Sequence, residues 1–317
     1  MLARLLAVRV VFCFWVACVA GSGLPTAQAG EPIFGYSYLT DTLPAGQSEF
    51  EQWGTLHTGK QQGTFRLLRL RSALEYGVTD ALQVAGYANY YFISANGHSA
   101  NGLTEGGFEN FVPENHDPNS PYSATRLESL SLELIYRLAS PYKYPVGIGL
   151  YLEPSWGPEN RTLEGGLLLQ SNFIDDRLVL VANLRFELEK RRFTGNPSAD
   201  PADEEFNARW VKEAELLYTF GIAYRFAPRW SLGFEARREA EYGALNFQRG
   251  NLDFSFWSRG PTLHYGAKDW FVTVAYQRQL ANARVYNPEI ADWLYQGRIY
   301  GDEATKNELR VKLGFYF

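Results

Sequence analysis

The last nine residues of the chain alternate between apolar and polar side chains. One parity contains only apolar residues, namely Leu309, Val311, Leu313, Phe315 and Phe317. The other parity contains Arg310, Lys312 and Tyr316. Successive side chains of a β-strand point to opposite faces, so this segment predicts a strand with one apolar and one polar face. Such a strand requires an apolar environment on one side and a polar one on the other.

The same alternation recurs along the rest of the chain. Nine upstream segments show it clearly: 68–76, 82–92, 130–138, 146–153, 163–172, 178–189, 215–226, 230–237 and 270–279. Segments 48–58 and 254–265 show it less clearly. The second would need a bulge near Ser258-Arg259-Gly260, which would keep Arg259 in the interior. With the terminal segment these make about twelve strands, which predicts an all-β fold with a single antiparallel transmembrane β-barrel.

The connections between these segments alternate in length. Short connections are predicted at 77–80, 140–145, 174–177, 227–229 and 266–269. Longer ones are predicted at 94–125, 157–161, 190–209, 240–253 and 281–306. The connection at 59–63 falls at the same end of the barrel as these longer ones but is short. Outer-membrane barrels have short periplasmic turns and long extracellular loops, so both termini are expected in the periplasm.

The N-terminus has the layout of a secretory signal peptide. Two arginines precede an apolar run over 10–20, and an Ala-Gln-Ala site ends at Ala29. The run is too short for a membrane helix, so cleavage after Ala29 is expected. This divides the chain into a signal peptide at 1–29, an N-terminal periplasmic or lumen segment at 30–47 and an outer-membrane β-barrel at 48–317.

Several segments carry a resemblance to known proteins. Residues 34–53, the Glu-Tyr-Gly-Val-Thr-Asp turn at 75–80 and Gly260-Pro261-Thr262-Leu263 resemble a domain-of-unknown-function family of Gram-negative outer-membrane β-barrel proteins. The end of the chain resembles the closing strand of such barrels, in which the terminal Phe is read by the insertion machinery. The resemblance implies Phe315 and Phe317 as the assembly signal, the outer membrane as the location, and outer-membrane lipid and that machinery as partners. It implies no reaction.

Charged side chains occupy the polar parity, which would face the lumen. The predicted lumen-lining residues are Arg69, Arg71, Glu75, Glu133, Arg137, Glu153, Glu164, Arg185, Glu187, Glu189, Glu215, Arg225, Glu235, Arg237, Arg310 and Lys312. One interpretation is a narrow channel or transporter for small polar solutes. The alternative is a closed structural or surface-interaction barrel whose interior is filled with ion pairs. Eight strands enclose packed side chains and 16–18 leave an aqueous channel, so twelve strands fit either interpretation. The segment 30–46 could fold inward and narrow the pore.

An enzyme is the least favoured class. Residues His98-Ser99-Ala100-Asn101-Gly102 resemble the His-x-Ser-Asn-Gly motif of outer-membrane phospholipase, another twelve-strand barrel. Ala100 stands where that family has its nucleophilic Ser, so a lipid hydrolase is not expected. The four histidines show no paired metal-ligand spacing, and we expect no metal site and no cofactor. A net charge of −5 without a basic patch does not favour nucleic acid as a partner.

Overall fold

The computed structural model describes residues 32–97, 116–117, 120–195, 197, 199–203, 206–301 and 303–317. Twelve long strands form its main sheet: β1 Ser48–Thr58, β2 Thr64–Thr79, β3 Leu82–Asn96, β4 Tyr122–Ala139, β5 Gly147–Trp156, β6 Asn160–Phe173, β7 Leu178–Phe193, β8 Arg209–Ala227, β9 Trp230–Tyr242, β10 Leu252–Gly266, β11 Trp270–Gln279 and β12 Asn307–Tyr316. Every sequential pair is antiparallel, and β12 also pairs with β1. The predicted twelve-strand antiparallel barrel is confirmed.

Only short elements lie outside this barrel. The connection from β11 to β12 contains the two-residue strands Arg284–Val285, Leu294–Tyr295 and Arg298–Ile299. A 3-10 helix at Arg249–Asn251 immediately precedes β10. A second 3-10 helix, Pro288–Trp293, lies in the β11–β12 connection. No helix within the described residues is long and apolar enough to cross a membrane.

The outer face of the barrel carries a belt of exposed apolar side chains. Members on seven strands are Leu74, Leu132, Leu150, Leu184, Phe220, Leu232 and Val274. They alternate along each strand with buried residues that face the interior. Burying this much apolar surface in hydrocarbon is favourable, whereas exposing it to water is not.

The short-turn end of the barrel carries aromatic side chains and the strand closure. Trp230 and Trp270 lie on either side of Tyr265, with ring centroids 4.8 Å and 5.2 Å from it. The Phe317 N–H donates to the Ser48 carbonyl at 2.9 Å, and the Ser48 N–H donates to the Phe317 carbonyl at 3.1 Å. The last residue therefore joins the two ends of the sheet.

The predicted bulge at Ser258–Gly260 is wrong. Pairing between β9 and β10 is continuous through these residues, and the register shifts between Leu252 and Phe254 instead. Arg259 consequently lies exposed on the outer face. The physical reason is that Phe254 and Phe256 face inward, where they pack against residues of the β11–β12 connection. In the first half of β10 these two apolar side chains therefore face the interior, whereas Leu263 further along the strand is exposed.

The connection between β5 and β6 is also shorter than predicted. Only residues 157–159 separate the two strands, whereas 157–161 were expected. Asn160 and Arg161 already pair with Arg191 and Lys190 of β7, which extends β6 to Asn160.

Candidate functional site in the barrel lumen

Residues 32–47, here called the plug, cross the interior of the barrel. Their backbone N–H groups donate to amide and carboxylate oxygens of inward-facing side chains. Four of these bonds, each 2.8 Å long, join Gly35 to Glu235, Tyr38 to Asn183, Thr40 to Gln170 and Leu43 to Gln83. The acceptors lie on β9, β7, β6 and β3. Because these strands are spread around the wall, the plug spans the cross-section of the lumen.

The carboxylate of Glu235 is the central anchor of the plug. It accepts backbone N–H groups from Gly35 at 2.8 Å, from Tyr36 at 2.9 Å and from Ser37 at 2.8 Å. Hydrogen bonds to an ionised acceptor are about twice as strong as neutral ones. Gly35 is required here because a Cβ at this position would lie 2.2 Å from the Cβ of Ala275.

Two plug tyrosines are held by cations of the wall. Arg310 and Arg237 lie over the ring of Tyr36, at 4.2 Å and 4.8 Å from its centroid. Arg185 lies 4.9 Å from the centroid of Tyr38. Cation–π contacts of this kind contribute about 0.5–2 kcal/mol each, more when water is excluded.

The plug reaches the rim at the short-turn end of the barrel at Asp41. Its carboxylate accepts hydrogen bonds from the Tyr142 hydroxyl at 3.1 Å and from Gln170 Nε2 at 3.0 Å, and Arg137 lies 3.7 Å away. Burial raises the pKa of Asp41 above its usual range, although these three partners oppose the shift. The Thr42 hydroxyl donates to the Asp80 carbonyl at 2.8 Å. This end of the plug is therefore tied to the short turns.

Apolar contacts also hold the plug in the lumen. Phe34 packs against Val179, Val181 and Ala223, and Leu43 packs against Phe271 and Tyr316. Both plug side chains are fully buried. Ile33 and Leu39 also pack against the Phe34 cluster, and Tyr38 packs against Ile135, Tyr151 and Leu168. Residues 46 and 47 bond to the backbone of Gly77 near the end of β2, whereas residues 32–45 make no backbone pair with a described strand.

A polar cavity of about 310 Å³ lies next to the plug, with Tyr36 and Tyr38 in its lining. Eleven carboxylates line it: Glu128, Glu153, Glu164, Glu187, Glu189, Glu213, Glu215, Glu239, Glu241, Glu303 and Glu308. Six guanidinium groups line it: Arg69, Arg71, Arg185, Arg191, Arg237 and Arg310. The lining therefore carries an excess of five carboxylates over guanidinium groups.

Most guanidinium groups in the cavity are paired. Arg69 contacts Glu128 at 2.6 Å and Glu303 at 2.8 Å, and Arg71 contacts Glu153 at 2.6 Å. The remaining pairs include Arg185 with Glu164, Arg191 with Glu213, and Arg237 with Glu239 and Glu308. The ion-pair lattice and the polar cavity thus occur in the same lumen.

Four glutamates form a row across neighbouring strands, here called the acidic row. Glu164 lies opposite Glu187, Glu187 opposite Glu215, and Glu215 opposite Glu241. Like charges directly opposite each other destabilise a sheet. Within the described residues, Glu187 and Glu215 have no cationic side chain within 4.0 Å. This wall of the cavity therefore attracts cations.

The β11–β12 connection narrows the other end of the cavity. Lys60 Nζ donates to the carbonyls of Tyr300 at 2.9 Å and Ala304 at 2.8 Å. Gln279 accepts from the Ile299 N–H at 2.7 Å. Glu303 of this connection reaches Arg69 in the lumen. The long final loop is thus folded inward.

The residues predicted to line the lumen occupy three places. Ten lie in the cavity lining: Arg69, Arg71, Glu153, Glu164, Arg185, Glu187, Glu189, Glu215, Arg237 and Arg310. Glu235 holds the plug, while Glu75, Glu133 and Lys312 are buried on the inner wall outside that lining. Arg137 and Arg225 lie at the rim of the short-turn end, where Arg225 Nη2 donates to the Asp176 carbonyl at 2.7 Å. These two contact turns rather than the cavity.

Sequence reasoning missed part of the cavity lining. Glu213, Glu239 and Glu241 share the strand parity of predicted residues, so longer strands would have included them. Glu303 carries no such signal because it lies in a loop. The His98–Gly102 motif lies outside the described residues, and His264 is buried with its Nδ1 2.8 Å from the Thr273 hydroxyl.

The closed antiparallel barrel with an apolar outer belt and a charged lumen has the architecture of bacterial outer-membrane barrels. The chain belongs to a family of unknown function (DUF6662), whose profile matches residues 26–317. The resemblance to a family of this kind is thereby confirmed. No curated protein sequence matches the chain.

Solved structures share the fold at low sequence identity. The COG4313 outer membrane channel from Pseudomonas putida F1 is 12% identical and superposes with a TM-score of 0.53, over 87% of this chain and 97% of that chain. The NanC porin is 10% identical with a TM-score of 0.46, over 84% and 98%. The KdgM porin is 12% identical with a TM-score of 0.43, over 85% and 99%. At these identities the likeness concerns the fold alone.

Proposed function

We propose that the protein is a narrow outer-membrane channel for small polar solutes, and that the plug closes it at rest. The observation that carries this proposal is the way the plug is held. Residues 32–45 cross the lumen, yet within the described part of the chain their hydrogen bonds to the barrel go to side chains and to turns outside the barrel ladder. They can therefore leave the lumen without breaking a strand pair. Cleavage after Ala29 would place Pro32 close to a free N-terminus, which favours such movement.

The charge of the cavity supports a preference for cations. Its lining has eleven carboxylates and six guanidinium groups, and two carboxylates of the acidic row have no cationic side chain within 4.0 Å among the described residues. A cleft lined by one sign of charge concentrates ions of the opposite sign. Small cations and cationic polar solutes are therefore the proposed cargo class.

Planar-bilayer recording tests this function. The full mature chain is expected to show rare or small openings, because the plug crosses the lumen. A variant lacking residues 32–45 is expected to show larger and more frequent currents, with a reversal potential that indicates cations. Replacing Glu187 and Glu215 together with Gln should reduce that cation preference. If neither the full chain nor the deletion variant conducts, a closed barrel is the correct interpretation.

The apolar outer belt supports the outer membrane as the location, with insertion by the barrel-assembly machinery. Deletion of Phe317 should lower the amount of folded barrel in the outer membrane, because Phe317 closes the sheet and ends the proposed assembly signal. The measurement is the heat-dependent shift of the folded barrel on a gel after membrane fractionation. An unchanged amount of folded barrel in this variant would contradict the assignment of Phe317.

A closed surface-interaction barrel is the second candidate. The observation that favours it is the folded β11–β12 connection, which exposes Tyr286, Leu294 and Tyr295. Aromatic side chains on a fixed surface are frequent contacts with protein partners. The conductance experiment above distinguishes this candidate from a channel.

A further inference from the structure

Three glutamates from neighbouring strands meet on the inner wall near the plug. Glu49 and Glu51 lie on β1, and Glu75 lies on β2 opposite Glu49. Their carboxylate oxygens lie within 4.8 Å of one another. The three residues are only 2%, 2% and 7% exposed. Carboxylates this close and this buried cannot all carry a negative charge unless a positive charge is beside them.

A fourth glutamate approaches the same space from another strand. Glu133 of β4 lies in register with Glu75 across Ala85 of β3, a small side chain that leaves room between them. The Tyr87 hydroxyl donates to Glu75 Oε1 at 3.5 Å. Glu133 is 2% exposed, and its Oε2 has no hydrogen-bond donor among the described residues. A buried acceptor without a donor is rare, and an ion or a water molecule usually satisfies it.

Two cations lie next to these glutamates, and one of them already has a carboxylate partner. Arg71 is paired with Glu153 at 2.6 Å. Lys312 lies close by, with Nζ 3.6 Å from the centroid of the Trp53 ring, and attracts the Glu51 carboxylate. Arg71 also attracts Glu133, and Lys312 also attracts Glu75, so these two cations face Glu51, Glu75 and Glu133 in addition to Glu153. Glu51 Oε1 is also buried without a hydrogen-bond donor within the described part of the chain.

We propose that Glu49, Glu51 and Glu75, with Glu133 beside them, bind a divalent cation of the calcium type. Calcium takes oxygen ligands at about 2.4 Å, so two oxygens on one ion lie at most about 4.8 Å apart. The three carboxylates satisfy this limit. All the donors are oxygens, which favours a hard cation over zinc or copper.

The side chain of Gln83 connects the proposed cation site to the plug. Gln83 Nε2 donates to Glu75 Oε2 at 2.6 Å, and Gln83 Oε1 accepts the Leu43 N–H at 2.8 Å. A cation on Glu75 therefore stiffens the wall to which the plug is attached. The assignment does not depend on transport, because it concerns binding to the folded barrel.

Thermal unfolding and calorimetry of the purified barrel in detergent test this site. Protein stripped with EDTA is titrated with CaCl₂ and, separately, with MgCl₂. Calcium should raise the melting temperature, and EDTA should reverse the rise. Glu51→Gln should weaken calcium binding by at least about tenfold, since it removes one of three charged ligands. In EDTA this variant should melt at or above the wild-type temperature, because like-charge repulsion is relieved.

Glu215→Gln is the matched control, since it removes a carboxylate from the acidic row instead. It should keep the calcium response. If calcium stabilises Glu51→Gln as strongly as the wild type, or if Glu215→Gln alone loses the response, the assignment is overturned. Absence of calcium binding to the wild type would also overturn it, whether or not magnesium binds.

Discussion

Glu235→Ala is expected to open the lumen without any deletion. The variant removes the acceptor of three backbone N–H groups of the plug, at Gly35, Tyr36 and Ser37. Hydrogen bonds to charged groups contribute about 1.5–3 kcal/mol each, and about 1.4 kcal/mol changes an equilibrium tenfold. Losing even one such contribution should therefore raise the ratio of open to closed channels by roughly tenfold or more. Single-channel recording in planar bilayers measures this ratio.

Glu235→Gln is the matched control for this prediction. It keeps one side-chain oxygen as an acceptor but loses the charge, so its open fraction should lie between the wild type and Glu235→Ala. The barrel ladder should be unaffected, because the Glu235 side chain bonds mainly to the plug and to the Thr262 hydroxyl. If Glu235→Ala stays closed while the variant lacking 32–45 conducts, Glu235 is not the anchor. If both stay closed, the β11–β12 connection closes the lumen.

Arg185→Ala and Glu187→Gln are expected to change stability in opposite ways. Arg185 pairs with Glu164 and lies over the Tyr38 ring, and the two paired side chains are only 10% and 13% exposed. Removing one member of a buried pair costs about 3–5 kcal/mol. Glu187 instead lies between Glu164 and Glu215 in the acidic row, so neutralising it should leave the free energy of unfolding unchanged or raise it.

Denaturant unfolding in detergent, followed by tryptophan fluorescence, measures both changes. The folded fraction recovered after dilution serves as the control for reversibility, and coincident transitions by a second probe test two-state behaviour. Equal destabilisation by the two variants would contradict the pairing described for Arg185. A clear loss of stability in Glu187→Gln would mean that Glu187 has a stabilising partner in the lumen. Reversal potentials of the same two variants report their effect on ion selectivity.

The local pattern of the sequence predicted the barrel because the side-chain period of a strand is short. Residues two positions apart in a strand point to the same face, so apolar residues at every second position locate a strand within a few residues. The segment at 178–189 illustrates this, since its parity agrees with the faces of β7. The method failed at Arg259, where apolar Phe254 and Phe256 face inward. In that part of β10 the apolar side chains face inward because the β11–β12 connection packs against them inside the barrel. A local pattern in the sequence carries no information about such a distant contact.

The arrangement of side chains inside the barrel is determined by contacts between residues that are distant in the sequence. The sequence placed Glu235 among lumen-lining charges, and only the tertiary structure shows that it binds the plug, 198–200 residues earlier in the chain. The sequence treated Arg185 and Glu187 alike, although one has an ion-pair partner on β6 and the other faces only glutamates. Glu49, Glu51, Glu75 and Glu133 come from three strands, so their meeting has no signature in the sequence. Strand number and facing are local properties of the chain, whereas the position of the plug and the pairing of charges follow from barrel closure, which brings distant strands around one lumen.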